Sequence, residues 1–128
     1  MPGYKLVLSS ALVALSLGFP AFAGTDHDHG PRYGGIAKEV RNITYELVVK
    51  ADLITLYVSD HGKPISTDGA KAEATIYAGN EKTAVTLEPA GENRMAAKGS
   101  FKGGVGVRVA VTVTLSGRGA DKVTFNLK

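Results

Sequence analysis

The chain has 128 residues, a formal net charge of +3 and no cysteine. That length allows one domain with a core of its own, and the lack of cysteine excludes thiolate metal sites, disulfides, thiol catalysis and a blue-copper centre, which needs a cysteine sulfur. The charge is slight and well mixed with acids, so composition gives no case for a nucleic-acid partner.

Residues 1–23 read as an export signal. Lys5 supplies a short positive region, the run from Leu6 to Leu17 is predominantly apolar, and Ala21-Phe22-Ala23 is a small-x-small cleavage sequence. Ser9, Ser10 and Ser16 interrupt the run and Gly18 and Pro20 follow it, so it falls short of the roughly 20 residues a spanning helix requires. The expectation is a cleaved leader, a periplasmic mature chain beginning at Gly24, and no stable membrane insertion of that chain.

Residues 24–35 contain Gly, Asp, His, Pro, Arg and Tyr and little to bury, which predicts a short flexible arm. The domain then runs over residues 36–128, with ordered structure starting near Ile36-Ala37-Lys38-Glu39-Val40. In the next segment Ile43, Tyr45, Leu47 and Val49 alternate with Thr44, Glu46 and Lys50, the period of a half-buried strand. Ala51-Asp52 links it to a second β-run from Leu53 to Val58, and the two read as a hairpin. Ser59-Asp60-His61-Gly62-Lys63-Pro64 breaks the pattern and predicts a turn, with His61 on it.

From Ala70 to Ala78 alanines and Ile76 alternate with polar residues. Alanine favours helix, but the alternation and the Gly79-Asn80 that follows favour a strand. Lys82 to Leu87 is a further strand ended near Pro89, and Met95 to Gly99 is a weaker one. Val105, Val107, Val109, Val111, Val113 and Leu115 occupy every second position, a row suited to the centre of a sheet face. After the turn at Ser116-Gly117-Arg118-Gly119, Val123, Phe125 and Leu127 predict a last strand. About seven short strands without a convincing helix predict an all-β domain, read first as an immunoglobulin-like β-sandwich and alternatively as a small barrel.

The chemistry-bearing stretch is Asp26-His27-Asp28-His29. Imidazole nitrogens bind Cu, Zn, Ni and Co, and neighbouring carboxylates lower the cost of holding a dication. Short histidine-rich tracts point to metal by composition; the competing reading is a solvated tail. In an extended segment His27 and His29 point to opposite sides, so both reach one ion only if the backbone bends. His61, beside Asp60, is a further candidate ligand, the alternative being a solvated turn residue. Met95 is either a thioether donor for Cu(I) or core packing. The tyrosines at 33, 45, 57 and 77 are either a binding surface or ordinary strand residues.

Enzyme readings lack support. No serine stands with a histidine in a nucleophile motif, and Gly103-Gly104-Val105-Gly106 runs into a strand where a phosphate cradle would run into a helix. Glu39 and Glu46 sit in polar strand rows, where solvation is the simplest expectation.

Tyr45-Glu46-Leu47-Val48, the run from Leu56 through Ser59-Asp60-His61-Gly62-Lys63-Pro64-Ile65, Gly69-Ala70, and Pro89-Ala90-Gly91-Glu92-Asn93-Arg94-Met95 together resemble small exported proteins of Gram-negative bacteria that accompany heavy-metal efflux and resistance systems. The resemblance spans nearly the whole expected mature domain and implies periplasmic metal handling, with efflux components as partners. Members of that group carry histidines just before a Gly-Gly pair; here Tyr33 precedes Gly34-Gly35, and the histidines stand farther upstream. The expected function is therefore a periplasmic metal-binding protein of copper-, zinc- or cobalt-type heavy-metal homeostasis or resistance, acting as buffer, sensor or carrier, with Cu or Zn as the ion. The alternative is a metal-independent module that pairs a sheet edge with a protein partner.

Overall fold

Alternation of apolar and polar residues, punctuated by glycine turns, produces nine strands in the computed structural model, which describes residues 30–128. The expected leader, together with Asp26, His27, Asp28 and His29, lies outside the described residues. The strands are β1 (Ile36–Val40), β2 (Ile43–Val49), β3 (Leu53–Asp60), β4 (Lys63–Pro64), β5 (Lys71–Ala78), β6 (Glu81–Pro89), β7 (Arg94–Lys98), β8 (Arg108–Thr114) and β9 (Ala120–Asn126). No helix occurs among the described residues, and so none long and apolar enough to cross a membrane.

All pairings are antiparallel, in the order β1-β2-β3-β7-β6-β5-β8-β9, with the short β4 beside the end of β3. The sheet divides into two arcs joined by one narrow seam, because β6 pairs with β7 only at Glu88↔Ala96 and Pro89↔Met95. At the far ends of the order β1 and β9 approach each other, so the sheet curls almost into a barrel. Curling hides most edge strands, which an open sheet of this size would expose.

The interior follows from strand periodicity. Ile43, Tyr45 and Leu47 of β2, Ile54, Leu56 and Val58 of β3, Ala72, Ala74 and Ile76 of β5, Val109, Val111 and Val113 of β8, and Val123 and Phe125 of β9 are all buried in one cluster. Met95 is wholly buried there and is a packing residue. The valine row enters strand conformation later than its sequence suggests: Gly104 and Gly106 take positive φ, Val105 is 89% exposed, and β8 begins at Arg108.

Two polar links tie the interior shut. The Tyr45 hydroxyl donates to Asp121 Oδ2 at 2.6 Å, and Arg41 Nε donates to Asp121 Oδ1 at 2.6 Å. Arg41 stands in the two-residue turn between β1 and β2, where it and Asn42 both take positive φ, the geometry of a type I′ hairpin turn. From that turn it reaches across to β9, also donating to the carbonyls of Gly119 and Ala120.

Candidate functional site

The turn carrying His61 is built by the same chemistry. Asp60 pairs with Lys63 and Ser59 with Pro64, which leaves His61 and Gly62 as the two central residues, at φ 51° and 85°. Positive φ at both marks a type I′ turn; glycine suits the second position, and histidine is among the side chains that tolerate the left-handed region. The turn holds the His61 ring outward, 65% exposed, with Nδ1 2.6 Å from Asp60 Oδ1. When Nδ1–H donates to that carboxylate, Nε2 carries the lone pair, the arrangement in which a carboxylate orients a metal-binding imidazole.

Beside this turn lies a second constellation centred on Glu46. Strand alternation sends Tyr45 inward and Glu46 outward, yet Glu46 is only 3% exposed. Its cover is the stretch 30–35, laid back over the outside of β2 and β3. Glu46 Oε1 accepts the Arg32 N–H at 2.6 Å, and Oε2 accepts those of Tyr33 at 2.7 Å and Gly35 at 2.8 Å. Three charge-assisted bonds offset the loss of water around the carboxylate. Solvation, the simplest expectation for Glu46, is thus replaced by capture of backbone donors from residues 32–35, the end of the stretch 24–35 expected to be a flexible arm.

Neighbouring contacts hold that stretch in register. The Tyr33 ring stacks on Tyr57, centroids 3.8 Å apart and planes 5° from parallel. Asn93 Nδ2 donates to the Val58 carbonyl at 3.1 Å and to the Tyr33 hydroxyl at 3.4 Å. Gly35 packs so closely on β2 that a Cβ there would overlap the Leu47 carbonyl. From Gly35 beside Leu47 the chain runs back toward the His61 turn, where Gly30 and Arg32 line one small cleft with Thr44, Ser59 and Gly62. The Arg32 guanidinium lies over Gly62, with Nη2 2.8 Å from where a Cβ would stand.

Of the sequence-predicted ligands, the described residues include His61, in the β3–β4 turn beside Asp60. Among the described residues no group of three or more His, Cys, Asp or Glu is gathered in a way that could hold a metal. Asp60 and His61 are a pair to which the chain upstream of Gly30 would have to add. Arg32, Glu46 and Asn93 carry no such expectation from sequence, and Tyr33 enters there only as one of four tyrosines that could form a binding surface. Tyr33-Gly34-Gly35 held a signal, since paired glycines mark a tight turn or a close backbone approach, but it does not say which strand is approached. No family model, curated protein or solved structure matches this chain.

Proposed function

We propose that the protein is an exported, periplasmic metal-binding protein of heavy-metal homeostasis, without enzymatic activity, serving as buffer, sensor or carrier beside an efflux system. The carrying observation is that Gly30, which follows His29 in sequence, lines the same cleft as Ser59 and Gly62, the neighbours of Asp60 and His61. His27 and His29 are the principal ligands in this reading, His61 joins them through Nε2, and Asp26, Asp28 and Asp60 supply negative charge. Nitrogen and oxygen donors without thiolate favour Cu(II) over Zn(II) in affinity.

Calorimetric titration of the chain from Gly24 onward with Cu(II) and Zn(II), beside a His27→Ala/His29→Ala variant, tests the reading. The expected result is Cu(II) binding that exceeds Zn(II) binding and weakens at least about tenfold in the variant. Binding no tighter than millimolar, or equal binding by both proteins, contradicts it.

One observation favours the alternative reading, an interaction module. Past Glu88 and Pro89 the seam between β6 and β7 opens into a shallow groove of about 570 Å³, flanked by Thr83, Ala84, Val85 and Thr86 on one side and by Ala96 to Phe101 on the other. A strand edge of this kind can accept an extended peptide. Partner capture that survives chelator and removal of residues 24–29, but is lost on Ala84→Pro, would favour the module.

A further inference from the structure

The two ends of the curled sheet differ in charge. One end carries the β2–β3 turn, the β5–β6 turn and the long loop 99–107, which the register places together: Leu53 pairs with Lys98, Ala78 with Glu81 and Tyr77 with Arg108. Gly99 and Phe101 of the loop donate to the carbonyls of Asp52 and Ala51 in the β2–β3 turn. Lys50, Lys82, Lys98, Lys102 and Arg108 are all exposed at this end, against the carboxylates of Asp52 and Glu81. Glu81 is taken up by Lys102 at 2.9 Å, whereas Lys50, Lys82, Lys98 and Arg108 have no ion-pair partner among the described residues. The turns at the other end mix both signs, as Asp60 opposite Lys63 and Glu92 near Arg94 show.

Apolar and aromatic groups stand among the unpaired cations. Val105 is 89% exposed, on a loop between Gly104 and Gly106, both at positive φ. Gly103 and Gly104 before it line a cleft of about 300 Å³ with Ile36, Val49 and Leu127. Tyr77, half-buried in the last outward row of β5, has the Arg108 guanidinium 4.5 Å and the Lys82 ammonium 5.9 Å from its ring centre. An apolar tip among cations, with a tyrosine that joins an apolar ring to a polar hydroxyl, is the composition that settles where anionic headgroups meet acyl chains.

We propose that this end of the molecule docks reversibly on an anionic lipid surface, with Val105 entering the acyl boundary and Lys50, Lys82, Lys98 and Arg108 facing the phosphates. The contact is peripheral and carries no strand across the bilayer. It goes beyond the metal-binding reading and does not depend on it. A soluble polyanion would satisfy the cations equally but leave Val105 in water, so the exposed valine favours lipid. Each cation held near an anionic surface strengthens binding about fivefold, and Asp52 offsets part of that gain. The attachment is therefore weak enough to reverse and is released by salt.

Co-sedimentation with vesicles of phosphatidylcholine alone, and of equal parts phosphatidylcholine and phosphatidylglycerol, tests the proposal. The protein used is the chain from Gly24 onward, so that the apolar run of residues 6–17 does not itself enter the bilayer. Binding to the mixed vesicles is expected, with loss on the neutral ones and at high salt. Lys50→Gln/Lys98→Gln should weaken it about 25-fold and Val105→Ser about fivefold. These side chains are exposed, so unchanged thermal unfolding separates lost binding from lost fold. Because the chain has no tryptophan, Val105→Trp adds a single reporter. Its emission should shift to the blue and become shielded from iodide on the mixed vesicles, while that of Arg118→Trp, in the β8–β9 turn at the other end, should stay unchanged. Equal binding to neutral vesicles, wild-type binding by Val105→Ser, or unshifted emission from Val105→Trp overturns the proposal. Binding to heparin without binding to either vesicle also overturns it, and assigns the cations to a soluble polyanion.

Discussion

Tyr45 and Glu46 are adjacent on β2 and show what alternation does to chemistry. Tyr45 points into the barrel, where burial, and then its bond to Asp121, push its hydroxyl well above the ordinary tyrosine range. An unfolded tyrosine ionises near pH 10, whereas folded Tyr45 keeps its proton. Its contribution to stability is therefore complete below about pH 10 and is lost as pH climbs from there through the folded value. Tyr45→Phe should cost about 1 kcal/mol at neutral pH and flatten the alkaline fall in stability, as measured by urea unfolding at pH 7 and above pH 10. A steep alkaline limb that persists in the variant would assign it elsewhere. The inward row of β2 was legible from its period, and so was the outward placement of Glu46. What covers Glu46 was not, because periodicity assigns a residue to a face and is silent about a segment folding back over that face. Asp121 carried an unread signal: it is in phase with Val123 and Phe125, and a carboxylate in an apolar row needs a partner inside.

At the scale of elements, glycine-containing and left-handed turns decide where the strands end. Asn-Gly is a favoured pair for a type I′ turn, so His61→Asn should leave thermal stability within about 0.5 kcal/mol of wild type while removing the imidazole. Equal metal affinity in that variant would take His61 out of the site. Gly35 is constrained by approach, not by φ, since a Cβ would meet the Leu47 carbonyl. Gly35→Ala should cost about 2 kcal/mol and expose the amides of 32–35 to exchange; full retention of stability would show that the stretch has another way to lie down. The β2–β3 hairpin, the alanine-rich β5 and the last strand all stand close to where the alternation put them. The valine row outruns its strand, because Gly104 and Gly106 at positive φ keep Val105 out of the sheet. The hydrophobic period continues through such a turn, but the backbone does not.

For the whole molecule, strand spacing gives the all-β class and leaves sandwich and small barrel both open; the structure takes the second course, an antiparallel sheet curled almost into a barrel. The curl depends on contacts between the two ends of the strand order, chiefly Arg41 and Tyr45 on Asp121, residues 76 or more positions apart. Arg41→Ala removes the cation from a buried carboxylate; with Arg41 itself 59% exposed, the expected loss is about 1–2 kcal/mol, read as a lower urea midpoint with unchanged m-value. An unchanged midpoint would mean that the core alone holds β9 against β2. On the outside of β2 and β3 the stretch 30–35 starts in the cleft beside Gly62 and ends at Gly35 against Leu47.

The proposed function puts His61 on the same ion as His27 and His29. The most direct measurement is electron paramagnetic resonance of the protein from Gly24 onward with one equivalent of Cu(II), counting equatorial imidazole nitrogens in wild type and in His61→Ala. Imidazole coordination is expected in wild type, with one equatorial nitrogen fewer in the variant. Identical spectra from the two proteins, or a wild-type spectrum without imidazole nitrogen, would contradict it.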